Sequence, residues 1–384
     1  MRDIFDKSLP VSIRMARSVM NRYEPSQMLW HYEHALVLQS IFLLGLKTGQ
    51  DEYCDYVKVM YDTKITPNGE ILTYREDEFN LDQINPGKNL FLLFSKFGDE
   101  KYRIAIEKLI EQLRKHPRTN SGGFWHKKIY PYQMWLDGLY MQAPFYTQYT
   151  DLFASNKTES FNDIKHQFTL IESSARETQT GLLYHAWDES RRQKWANPDT
   201  GCSPHFWGRA LGWYCMALVD VLEFSLASKE TSAESLSASL TEIARRLITP
   251  LINFQDSQSG LWYQVLDKGQ QPGNYTESSA SSMYVYFMTK MLRLGLVEDT
   301  IAADVKTAAQ KAYKGLLDNK LTEDPSGELH LIDICKVAGL GGNPYRDGSY
   351  EYYVSEPKAT DDFKGVGPFI FASMEQEQLI VTSV

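Results

Sequence analysis

Chemistry can start at Asp137, in the run Gln133-Met134-Trp135-Leu136-Asp137-Gly138-Leu139-Tyr140-Met141, a carboxyl among bulky apolar side chains at the head of a helical segment. Such company disfavours the ionised form and can keep a carboxylic acid protonated near neutral pH, as a general acid requires. The plainer reading is a helix N-cap, since Asp ahead of Gly-Leu-Tyr-Met starts a helix well. A second acid, Asp82, lies in Leu81-Asp82-Gln83-Ile84-Asn85-Pro86, just before a helix that Pro86 can begin in its first turn. Alone it is a turn former; close to Asp137 its charge would raise the partner's pKa. Spacing along the chain leaves that proximity open.

Rings and cations gather in the same two stretches. The first holds Trp125-His126-Lys127 and Trp135; the second holds Tyr184-His185-Ala186-Trp187-Asp188 and Phe206-Trp207-Gly208-Arg209-Ala210-Leu211-Gly212-Trp213. On a helix Arg209 and Trp213 are one turn apart and could share a planar ligand, a carboxylate or a sugar ring. Each has a plainer role as well: the tryptophans in the core, His185 as a satisfied structural histidine, Lys127 in solvent. The chain has no GxSxG, HExxH, phosphate-loop or CxxC pattern, and His31 and His34 have no third ligand nearby in sequence, so neither a metal, a nucleotide nor another cofactor is expected.

Composition narrows the partner. Forty basic against 49 acidic residues give a formal charge of −9, a poor footprint for nucleic acid or an anionic membrane, so cations for an anionic ligand must be gathered locally. Aromatic residues make up 13% of the chain, more amphipathic ring surface than a core alone asks for, and suited to a polar groove. Cys54, Cys202, Cys215 and Cys335 are scattered, which predicts reduced thiols. The first ten residues carry Arg2, Asp3, Asp6 and Lys7 where an export signal would be apolar, and the longest apolar run, Ala35 to Leu46, is broken by Gln39 and Ser40. A cytoplasmic protein without a membrane span is the expectation.

Helical periodicity supplies the scaffold. Apolar residues recur at three and four in Val11 to Arg22, Met28 to Lys47, Tyr53 to Ile65, Pro86 to Phe97, Lys101 to His116, Leu136 to Phe153 and Ser160 to Glu177. The pattern continues in Pro204 to Leu226, Ser235 to Gln255, Ser278 to Leu296, Ala302 to Leu317 and Pro368 to Val384, twelve helices in all. Between pairs, Gly69, Gly122, Gly181, Gly260 and Gly327 recur at intervals of 53, 59, 79 and 67 residues, mostly followed by aromatic or apolar residues. Six helix pairs around one axis, an all-α (α/α)6 barrel spanning residues 1–384 as a single catalytic domain, would use all twelve and set the glycine loops on one rim.

The motifs together resemble glycoside hydrolase family 105, the unsaturated rhamnogalacturonyl hydrolases. The likeness rests on Trp125-His126-Lys127, the block from Gln133 to Met141, His185-Ala186-Trp187-Asp188, Trp195-Ala196, Phe206 to Trp213, and the late Gly341-Gly342-Asn343-Pro344-Tyr345-Arg346-Asp347-Gly348-Ser349-Tyr350-Glu351-Tyr352-Tyr353. It runs from about Trp30 to about Phe369, and Gln83 and His205 depart from the family pattern beside the site. The resemblance implies an (α/α)6 barrel that takes a 4,5-unsaturated uronic acid from the non-reducing end of lyase-made oligosaccharides. It implies Asp137 as the general acid that protonates C4, Asp82 as the second active-site aspartate, and Tyr32, His126, Lys127, Trp135, His185, Trp207, Arg209 and Trp213 as pocket residues holding the uronate and stacking on sugar faces. A small unsaturated oligosaccharide is the implied partner, by default galacturonyl-rhamnose, with glucuronyl fragments as the alternative. An inverting glycosidase using Asp82 and Asp137, an epimerase shuttling protons on His126 and His185, and a binding toroid without turnover are the competing readings.

Overall fold

The structure is a computed structural model that describes residues 6–381. Among the described residues twelve long helices form, with bounds close to the periodic segments: α1 (Val11–Arg22), α2 (Tyr32–Thr48), α3 (Asp51–Asp62), α4 (Lys88–Phe97), α5 (Glu100–Lys115) and α6 (Leu136–Phe153). They continue as α7 (Lys157–Ala175), α8 (Gly208–Ala227), α9 (Thr231–Asn253), α10 (Ser278–Arg293), α11 (Asp299–Asn319) and, after a short α12 (Tyr350–Ser355), α13 (Phe363–Val381). The six-residue α12 carries too few turns to show periodicity, and Val384, the expected end of the last helix, lies outside the described residues.

Helices α2, α4, α6, α8, α10 and α13 pack side by side in a closed inner ring, and each is backed by the outer helix that follows it: α3, α5, α7, α9 and α11. The sixth outer helix is α1, which packs on α13, so the last hairpin of the (α/α)6 barrel is built from both ends of the chain. Burial follows this order. Inner helices α8 and α10 are enclosed on every side, whereas outer α5 and α9 bury one stripe. Helix α8 is long and apolar enough to cross a membrane, and 78% of the relevant window is buried inside the barrel wall, which accounts for its composition.

The glycine repeat has a physical cause. Gly69, Gly122, Gly181, Gly260 and Gly327 all hold φ between +73° and +91°, where a Cβ is strained. The turns also press on the next outer helix: a Cβ on Gly69, Gly181 or Gly260 would come within 2.5 Å of Ile104, 2.7 Å of Pro250 or 2.8 Å of Lys311. The last turn meets the first helix, with Arg14 of α1 donating to the Gly327 carbonyl at 3.5 Å.

Past each glycine the chain runs in short extended pieces before the next inner helix begins. Strand β1 (Gln133–Trp135) pairs antiparallel with β2 (Ala186–Asp188), Trp135 opposite Ala186; β3 (Leu321–Glu323) pairs with β4 (Leu329–Leu331), and β5 (Ile334–Cys335) with β6 (Lys358–Ala359). One backbone bond recurs around the rim where an inner helix, or the loop leading to it, meets the next loop: Leu81 N–H to His126 O, Leu136 to His185, Gly208 to Gln264 and Ser278 to Asp333, at 2.9 to 3.2 Å. Four of the six inner helices, α4, α6, α8 and α10, therefore begin at this rim and bring their N-terminal partial positive charges to it.

Candidate active site

The rim bonds decide which side chains meet. Because Leu136 N–H bonds the His185 carbonyl at 3.0 Å, the next residue of the helix, Asp137, faces the His185 ring, with Asp137 Oδ2 at 3.5 Å from His185 Nε2. Because Leu81 bonds His126 and Asn80 bridges to Lys127, Asp82 falls beside both: Lys127 Nζ is 2.5 Å from Asp82 Oδ2 and His126 Nε2 is 3.6 Å from Oδ1. The His126 N–H in turn donates to the Gln133 carbonyl at 2.8 Å. Residues 80–82, 126–127, 133–137 and 185–188, far apart in sequence, are thus one hydrogen-bonded layer.

Rings wall this layer. The Trp135 indole lies parallel to the His126 imidazole and to the Tyr130 phenol, 4.8 Å from each, and edge-on to His185 at 5.3 Å. Trp207 sits 4.8 Å from His185 on its other side, and Tyr353 bonds His185 Nδ1 at 2.8 Å. The Asp137 side chain keeps 13% of its exposure amid these rings while His185 is fully buried. Asp137 Oδ2 and His185 Nε2 have no hydrogen-bond partner within ordinary reach, so each faces chiefly the other.

The charges on the Asp82 side are settled by contact. Burial pushes the Asp82 carboxyl up, and Lys127, joined by His126 and His31, outweighs it, holding the group below the ordinary carboxylate range. Lys127 responds in kind: burial would lower it, and Asp82 lifts it above the usual amine value. Burial takes His126 down to about 4, so this ring is neutral at pH 7 and is not one of the cations expected for a uronate. The Asp82 charge is neutralised by Lys127 at contact, not left free to act on Asp137.

Tyr32, at the first turn of α2, reaches the same space: its phenol senses Asp82, Arg209 and Asp137, and its ring meets Trp213 edge-on at 6.0 Å. Two further expected pocket residues, Arg209 and Trp213, are almost completely buried. Arg209 is 1% exposed; its guanidinium bonds the Cys335 carbonyl and Ser279, lies 4.0 Å from Glu277, and stacks 4.8 Å over Trp207. Trp213, also 1% exposed, stacks on Tyr140 at 4.9 Å one turn below Asp137. Helical spacing does put them on one side of α8, and both are as deeply buried there as Trp207 and His185.

Other side chains here escaped the sequence reading. Gln264 is buried, accepts from Trp207 Nε1 at 3.1 Å and donates to the Tyr353 carbonyl at 3.1 Å. Its signal was present: Gln264 is four residues past Gly260, as His126 is past Gly122 and His185 past Gly181. Lys364, at the start of α13, bonds Glu33 at 2.5 Å and is buried. It brings a cation to the rim from the far end of the chain, with no local motif to mark it.

The comparisons agree with this architecture. The profile of Glycosyl Hydrolase Family 88 matches residues 11–380. A solved structure of a family 105 glycoside hydrolase from C. acetobutylicum is 44% identical, with a TM-score of 0.90, over 96% of this chain and 100% of that one. Protein Atu3128 of Agrobacterium fabrum is 41% identical over 237 residues, 61% of this chain and 97% of its own. The unsaturated rhamnogalacturonyl hydrolase YesR of Bacillus subtilis is 25% identical over 333 residues, 82% of this chain and 88% of its own.

Proposed function

The chain belongs to glycoside hydrolase family 105, within the span of the family 88 profile, and is a glycoside hydrolase; from that premise we propose that it releases a 4,5-unsaturated uronic acid from small lyase-generated oligosaccharides by hydrating the double bond. Asp137 delivers its proton to C4, and the ring oxygen stabilises the cation that forms at C5. Water adds at C5 and returns a proton to the Asp137 carboxylate. The resulting hemiketal opens to a ketone at C5, leaving a hemiacetal at C1 that collapses to an aldehyde and sets free the second sugar as an alcohol.

The observation that carries this reading is the place of Asp137: a carboxyl at the head of an inner helix, walled by Trp135 and His185, on the same rim layer as the Asp82–Lys127 pair. Tyr32, Trp135, His185 and Trp207 supply ring faces for the sugar, and His126, neutral, supplies a hydrogen-bonding edge. The helix N-termini gathered at the rim give positive potential that an acidic chain needs in order to hold a uronate. Arg209 and Trp213 act from behind, keeping Trp207 and Tyr32 in place. Unsaturated galacturonyl-rhamnose is the proposed substrate, with the likeness to the rhamnogalacturonyl hydrolase of B. subtilis as its support. The four buried free thiols fit a reducing cytoplasm as the place of reaction.

The test follows the conjugated-ene absorbance of unsaturated disaccharides. Hydration bleaches that band, whereas ordinary glycosidic cleavage leaves it intact, so bleaching separates this chemistry from an inverting glycosidase. Asp137→Asn is expected to lose at least about a hundredfold in kcat with its helical spectrum unchanged, and full activity in that variant would refute the assignment.

A further inference from the structure

Tyr353 stands on α12, the only short helix in the long passage between β5 and β6, and the chain holds it from several sides. Ser349 caps α12 by accepting from Tyr352 N–H at 3.1 Å, and Gly339 N–H bonds the Tyr352 hydroxyl at 2.9 Å. Gln264 donates to the Tyr353 carbonyl, and the Tyr353 ring lies 6.2 Å from Trp207, nearly parallel to it. The ring is completely buried. Its hydroxyl ends 2.8 Å from His185 Nδ1, and among the described residues no other hydrogen bond satisfies that hydroxyl.

We infer that Tyr353 is a positioning residue: its O–H donates to His185 Nδ1, fixes the imidazole as the Nε2–H tautomer, and so aims an N–H at Asp137 Oδ2, leaving Oδ1 to carry the proton that reaches substrate. The argument is one of satisfaction. A buried hydroxyl that did not donate would lose a hydrogen bond it cannot recover from water. With Nδ1 occupied as an acceptor, the neutral ring has its one proton on Nε2. That nitrogen and Asp137 Oδ2 are the two buried polar atoms left facing each other at 3.5 Å. The gap is that of a site before substrate, where catalytic hydrogen bonds are commonly long and tighten on binding. A carboxyl pinned through one oxygen presents its proton from the other in a single direction, which is what orienting a general acid means physically.

The inference rests on the proposed role of Asp137, and its test separates the two. In full-length protein carrying ¹⁵N-labelled histidine, two-bond ¹⁵N–¹H correlation spectra report which nitrogen of each ring is protonated; His185→Gln identifies the His185 signals by their disappearance. The wild-type spectrum is expected to show His185 as Nε2–H, and an Nδ1–H tautomer there would overturn the inference without any variant. Tyr353→Phe keeps the ring and removes the hydroxyl. It is expected to shift His185 toward a tautomer mixture and to lower kcat on an unsaturated disaccharide about tenfold, a fraction of what a positioned acid contributes, with KM within about twofold. An unchanged tautomer in Tyr353→Phe, or a changed tautomer with unchanged kcat, would sink the proposal. Failure of the Asp137→Asn prediction would remove the catalytic reading and leave the tautomer result standing.

Discussion

Lys127→Met severs the ion pair under the site while keeping most of the side-chain volume. At 2.5 Å and an effective dielectric near 20, the attraction between Lys127 and Asp82 is about 7 kcal/mol, much of it offset by taking both ions out of water. Removing one partner of a buried pair costs about 3–5 kcal/mol because the other charge is left uncompensated. Lys127 keeps 23% side-chain exposure, so the lower end, about 3 kcal/mol at pH 7, is expected. The pH dependence has a definite sign. In the native protein Asp82 lies below its ordinary value of 3.8, so its contribution is present above that value and lost as pH falls through the folded value. In the variant burial is opposed only by His126 and His31, so the group rises from its native position and ionising Asp82 becomes costlier as pH rises toward neutrality. The stability gap between the two proteins should therefore already be open near pH 4.5, where the native contribution is present, and widen to its full size near pH 7.5, readable as a urea midpoint lowered by about 1 M at the higher pH for a slope of about 3 kcal/mol per M. A gap below about 1 kcal/mol at pH 7.5, or one of equal size at both pH values, would refute the reasoning.

Three further outcomes follow from other sites. Lys88 is buried over the Tyr140 ring at 3.7 Å without a hydrogen bond, and burial pushes its amine down to about 7. The unfolded chain then binds the extra proton between that value and 10.5, so Lys88→Met should stabilise the protein by on the order of 3 kcal/mol near pH 6.5, with the advantage fading toward pH 10 in thermal melts. Gly181→Ala should cost about 1–3 kcal/mol through its φ of +73° and contact with Pro250, and a melting temperature within a degree of wild type would count against the rim account. Trp213→Phe should lower stability by about 1–3 kcal/mol while KM stays within twofold; a large rise in KM with unchanged stability would return Trp213 to the pocket lining.

The helices were legible because their periodic faces are written locally: Leu136–Phe153 falls on its segment to the residue, and Asp137 and its ring neighbours are contiguous. What the chain hid was partnership. Nothing local says that Lys127 will sit on Asp82 and compensate its charge, or that burial will leave His126 neutral. The same holds for Arg209, whose flanking glycines do not reveal its partners; Cys335, Ser279 and Glu277 lie 126, 70 and 68 residues further along the chain. Tyr353 and Lys364 arrive from the last fifth of the chain, and Gln264 sits at the repeat position that histidines hold after Gly122 and Gly181.

The hairpin formed by α1 and α13 makes the barrel a clasp fastened by its own two ends. Ser12 on α1 binds Glu377 on α13 through both backbone and hydroxyl, at 3.0 and 2.5 Å. On the ribosome the first outer helix must wait, its apolar stripe uncovered, until the final inner helix is made. Tyr32 and Lys364 flank that seam, so the reaction hollow acquires its last wall only once α13 has been made. Nascent or clipped chains would be inert, and a chaperone would find its target in the waiting stripe of α1.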